Sequence, residues 1–102
     1  MTRHFPDNLV LFARLDEAAE KAGRRLTHTQ KLFFLRLLTV AQKDDEGYFI
    51  KDTHKGFAEA FEMPERTVTE CLSKLTACGI LINSNGRKSI SRRMNDAIIA
   101  KE

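Results

Sequence analysis

The chain has 102 residues, of which 42% are hydrophobic and 30% charged, enough to bury one core and too apolar for a disordered chain. Its densest apolar run, Leu32 to Ala41, is broken by Arg36 and Thr39 and is too short to cross a bilayer. The net charge of +3 is unevenly spread: residues 1–46 carry +1, residues 47–83 carry −1 and residues 84–102 carry +3.

The start, MTRHFPDN, has no apolar signal core, so a cytoplasmic protein is expected. Leu9, Phe12, Leu15, Ala19 and Ala22 then recur at helical spacing. They predict a first helix from about Asp7 to Ala22, with Asp7 or Asn8 as cap and Gly23 as stop. Thr27 with Gln30 three residues on forms a capping-box pattern, which opens a second helix running to about Lys43. Leu32, Phe33, Phe34, Leu35, Leu37, Leu38, Val40 and Ala41 cover most of its circumference. A helix apolar nearly all round needs cover on more than one side, either inside one domain or against a second copy of the chain. Asp44-Asp45-Glu46-Gly47 reads as a polar turn and Tyr48-Phe49-Ile50 as a short strand.

The stretch FAEAFEMPERTVTECLSKLTACGIL carries the most information. Phe57, Ala58 and Phe61 define one short amphipathic helix, capped by Asp52 or Thr53 and running through Phe61, with Gly56 inside it. Glu62-Met63-Pro64 is a tight turn, and Pro64 suits the first turn of the next helix. Val68, Leu72 and Leu75 define that helix, and Gly79 ends it ahead of the β-prone Ile80-Leu81-Ile82. Asn85-Gly86 is a strong hairpin signal, with Lys88 to Ser91 as the returning strand. Met94, Ala97, Ile98 and Ala100 suggest a short final helix, packed on the domain or added to a dimer interface.

This order of elements resembles the winged helix-turn-helix family of bacterial, phage and plasmid DNA-binding proteins, over roughly Asp52 to Ser91. The resemblance implies an α+β, mostly α fold. It has two N-terminal helices, a helix-turn-helix pair at 53–78, a β-hairpin wing at 80–91 and a short C-terminal helix, all in one domain, 1–102.

With Val68 set at zero and about 100° per residue, Leu72, Leu75 and Gly79 lie within about 40° and form the buried stripe. Arg66, Glu70, Ser73 and Ala77 lie opposite, with Thr69 and Lys74 on the flanks. The resemblance makes Glu65, Arg66, Thr67, Thr69, Glu70, Ser73 and Lys74 the recognition-helix candidates. Arg66 can donate twice to guanine, hydroxyls can bond phosphates or bases, and Glu70 can accept from cytosine or pair with Arg66 or Lys74. Asn85, Arg87, Lys88, Arg92 and Arg93 are the wing candidates, cations placed for backbone phosphates. The bland alternative is a solvated helix face and a solvated basic cluster.

No phosphate-binding loop, nucleophile elbow or HExxH pair is present, so no catalytic residue is assigned. Cys71 and Cys78, seven residues apart on one helix, cannot bridge, and with His4, His28 and His54 they show no CxxC, CxC or HxxxH spacing. They read as buried thiols, with neither metal nor cofactor. The expectation is a small homodimeric transcriptional regulator that binds double-stranded DNA. Similarity to plasmid and phage replication initiators and to centromere-binding partition adaptors gives an alternative, with a filament-forming or replication protein as partner. A protein-interaction winged helix that binds no DNA is the second alternative.

Overall fold

The computed structural model describes residues 5–51, 53–83 and 92–100. These residues form an α+β, mostly helical fold with a small antiparallel sheet of four strands. Helix α1 spans Asn8–Lys21, with the Asp7 carboxylate accepting from Val10 N. Helix α2 spans His28–Val40 behind a complete Thr27/Gln30 capping box. It stops three residues short of the expected end, because Gln42–Asp44 leaves the helix as strand β1. That strand pairs with β2, Gly47–Ile50, through the polar turn foreseen at Asp44–Gly47.

Helix α3, His54–Phe61, is capped by the Thr53 hydroxyl, and Gly56 sits in its first turn, donating to that hydroxyl. Asp52, the other expected cap, lies outside the described residues. Helix α4 spans Glu65–Ala77. Pro64 is its N-cap residue rather than part of its first turn, and it offers no side-chain bond to the helix.

Helices α1, α3 and α4 stop in one way. A residue in the left-handed region (Gly23, φ 71°; Glu62, φ 54°; Gly79, φ 74°) turns the chain. The next amide then bonds back to the last turn: Arg24 N to Ala19 O, Met63 N to Ala58 O, Ile80 N to Leu75 O. Glu62 is the exception in kind, since it holds this conformation with a side chain.

Strand β3, Leu81–Asn83, follows α4, and β4, Arg92–Met94, returns beside it, giving the order β1-β2-β4-β3. The expected return strand at Lys88 to Ser91 lies outside the described residues. Met94, expected in the last helix, is the inward end of β4 instead. Helix α5, Asp96–Ile99, is capped by Asn95, whose Nδ2 also donates to Gly79 O at 2.9 Å. Arg14 on α1 donates to the carbonyls of Ile98 at 3.1 Å and Ala100 at 2.5 Å. The final helix therefore packs back on α1, burying Ile98 and Ile99.

The core gathers around α2. Phe33 meets Phe57 and Phe61 edge-on at 6.4 and 5.7 Å, while Phe34, Leu37 and Leu38 face the rest of the interior. Arg36 donates to Phe61 O at 2.6 Å and lies over the Phe61 ring, so it fastens the end of α3 to α2. Most of the apolar girth of α2 is thus covered within one chain. Leu32 and Val40 stay exposed, at 41% and 43%. Among the described residues, no helix is long and apolar enough to cross a membrane.

Candidate nucleic-acid interface

Helix α4 divides cleanly into two faces. Val68, Cys71, Leu72 and Leu75 are buried against the core, whereas Glu65, Arg66, Thr69, Glu70, Ser73 and Ala77 are exposed. Thr67 and Lys74 are half-buried at the boundary. Gly79, expected in the buried stripe, lies past the helix end and is exposed; Cys71 completes the stripe in its place. The reason is geometric: the left-handed turn at Gly79 takes the chain off the helical wheel before the next buried position.

The exposed face is not made of α4 alone. His54 Nδ1 stands 2.8 Å from Thr69 Oγ1, so the first residue of α3 reaches across to the middle of α4. A hydroxyl can both donate and accept, which leaves Thr69 one further bond to offer outward. Sequence reading missed His54, and no signal could have supplied it: a lone histidine with its partner fifteen positions away has no pattern.

The two arginines of β4 have different surroundings. Opposed residues of an antiparallel pair share a face, and neighbours along a strand alternate. Phe49 opposes Arg93, which opposes Ile82; Ile50 opposes Arg92, which opposes Asn83. Arg93 therefore lies on the outer side of the sheet. Its guanidinium sits 5.8 Å over the Phe49 ring, with Nη2 at 2.5 Å from Asp44 Oδ2 and 3.3 Å from Glu46 Oε2. The hydrogen bond to Asp44 raises the Arg93 pKa, and the charges of Asp44, Glu46 and Asp96 add to it against a desolvation cost. Arg93, counted in sequence among the cations for DNA, is occupied in holding β4 to the β1–β2 hairpin. Arg92 is on the inner side with Ile50, which is fully buried, and burial pulls its pKa down. The Arg92 Nε is buried without a hydrogen-bond partner. Asn85, Arg87 and Lys88 lie outside the described residues.

Cys71 and Cys78 are both buried free thiols. Among the described residues, no group of three His, Cys, Asp or Glu side chains is placed to hold a metal ion. No protein-family model, curated protein or solved structure matches the chain.

Proposed function

We propose that the chain is a small winged helix-turn-helix protein that binds double-stranded DNA in the cytoplasm, most simply as a dimeric transcriptional regulator. The observation that carries this reading is the exposed polar face of α4, with Arg66, Glu70 and Ser73 turned outward and Thr69 joined to His54. A rigid helix with donors and acceptors along one side, following a short turn from α3 and leading straight into an antiparallel strand pair, suits presentation to a major groove. The basic charge of residues 84–102 supports a flanking phosphate contact. Leu32 and Val40 on α2 support pairing of two copies.

Selection of bound duplexes from a random pool, followed by titration at several salt concentrations, tests the reading. Enrichment of one palindromic site with salt-dependent affinity supports a regulator. Enrichment of sites that act only in repeated arrays shifts the role to plasmid or phage replication or partition. Absence of binding to any duplex at low salt removes the DNA reading and leaves the protein-interaction alternative.

A further inference from the structure

We infer that Arg92, and not its neighbour Arg93, is the β4 side chain that takes a backbone phosphate of duplex DNA, because the fold supplies a counter-charge to Arg93 and, among the described residues, none to Arg92. This rests on the proposed DNA binding and assigns one contact within it.

The strand register makes the division. Adjacent residues of β4 face opposite sides of the sheet, so only one arginine can reach the carboxylates of the β1–β2 hairpin. Arg93 does so through Nη2, although its Nη1 is buried without a bond. Arg92 shares its side with Ile50, Asn83 and the buried pair Leu81 and Met94. It makes no ion pair with a described residue, its Nε is buried and unbonded, and desolvation already weighs against its charge. The residue is only half-buried, so the cation keeps an outlet to solvent.

A planar guanidinium suits two oxygens of one phosphate, and in Arg92 the terminal nitrogens rather than the buried Nε are the donors that face such a contact. Both strand neighbours of Arg92 lead to the helix-turn-helix pair. Ile50, the cross-strand partner of Arg92, precedes His54 by four residues, and His54 bonds Thr69 on the exposed face of α4. The other strand paired with Arg92 is the one that α4 feeds directly. Asp44 and Glu46, which repel phosphate, are gathered on the opposite side of the sheet.

The experiment compares R92Q, R92K and R93Q with the wild type, by thermal unfolding without DNA and by titration of a short mixed-sequence duplex at several salt concentrations. R92Q is expected to unfold at the wild-type temperature or higher, since it removes an unneutralised charge. It should bind the duplex on the order of ten-fold more weakly, with the salt slope reduced by about 0.9 per subunit, the value for one lost phosphate contact. R92K should keep the slope. R93Q should unfold at lower temperature yet keep the wild-type slope where folded. A wild-type protein that binds no duplex refutes the DNA reading itself. If the wild type binds and R92Q keeps affinity and slope, or R93Q loses the slope instead, the assignment of Arg92 fails while that reading stands. An R92Q protein that does not fold also overturns it, because the charge would then serve the domain.

Discussion

Arg93 on β4 and Asp44 at the end of β1 are joined by a 2.5 Å bond between strands that never touch, since β2 runs between them. The guanidinium bridges over Phe49, so one side chain closes the outer face of the sheet and ties the β3–β4 pair to the β1–β2 hairpin. Asp44→Asn is expected to lower the unfolding temperature, with Glu46→Gln doing so less, given its longer contact of 3.3 Å. The sign with pH follows from the raised Arg93 pKa. Its contribution is fully present below the ordinary arginine range and is lost only as pH rises through the higher folded value. Unfolding temperatures of Arg93→Gln and wild type should therefore differ by the same amount across the neutral range, a comparison that calorimetry makes directly.

The turn between α3 and α4 carries backbone strain at a residue with a side chain. Glu62 holds a left-handed backbone where Gly23 and Gly79 serve at the other two such stops. Glu62→Gly should stabilise the fold by roughly 0.5–1 kcal/mol, by relieving the clash of Cβ with the following carbonyl. Gly79→Ala is the mirror test. A Cβ there meets nothing within 4 Å, so any loss comes from the backbone alone and should be about 1 kcal/mol. Urea denaturation of both variants measures the pair, and equal stability of Glu62→Gly with wild type would remove strain from the account of this turn.

For assembly, the burial pattern on α2 changes which residues are informative. Phe33 and Phe34 are at 1% and 0% exposure, packed inside one chain, so a charge there unfolds the domain whatever its oligomeric state. Phe33→Ala should cost about 3–5 kcal/mol. Leu32 and Val40 are the probes for pairing. Leu32→Glu with Val40→Glu should leave circular dichroism unchanged and halve the mass measured by sedimentation. Wild-type protein that sediments as a monomer at high concentration would withdraw the dimer from the proposal.

Most helix starts and stops were readable because they are local; the end of α2 was not, since the pairing of β1 with β2 sets it. Asp7, Thr27 with Gln30, and Gly79 each act within four residues of themselves, and each does what its type predicts. Strand β1 was not readable. Gln42-Lys43-Asp44 has no alternation of apolar and polar residues, and it becomes a strand only because Tyr48 and Phe49 return opposite it. The candidate face of α4 was readable from periodicity, except at Gly79, where the helix has already ended. Nothing in the sequence separates Arg92 from Arg93. A cation looks the same whether its partner is solvent or a carboxylate 49 residues away, and only the strand register assigns their sides.

Cys71 and Cys78 give a pH test of the interior. Burial raises both thiol pKa values; the charge of Glu70 adds to it for Cys71, while Arg24 and Lys74 act against it for Cys78. A folded value above the unfolded one means the protonated thiol is favoured by folding. That stability is complete below the unfolded thiol range, about pH 8.5, and is lost as pH rises through the folded values. Wild type should thus lose stability above about pH 8.5 more steeply than Cys71→Ser with Cys78→Ala, and a neutral-pH thiol reagent should label neither cysteine until urea unfolds the chain. Rapid native labelling would contradict the burial of these side chains.

The exposed face of α4 is expected to read base sequence and not only to hold the backbone. Arg66 is exposed on the helix wheel opposite Val68, and its guanidinium can address a guanine edge with two bonds. Arg66→Ala should cost about 1–3 kcal/mol on the selected duplex and relax base preference at one position, with little effect on an unrelated duplex. Glu70 points the same way but repels phosphate. Glu70→Ala should therefore lower discrimination between the two duplexes while leaving affinity for the unrelated one equal or higher. Thr69→Val removes the hydroxyl that stands 2.8 Å from His54 Nδ1 and should weaken both duplexes alike, because it loosens the placement of α3 against α4. Competition titrations on the two duplexes distinguish these outcomes. If Arg66→Ala weakens both duplexes equally, Arg66 holds the backbone, and base reading must be sought elsewhere on the domain.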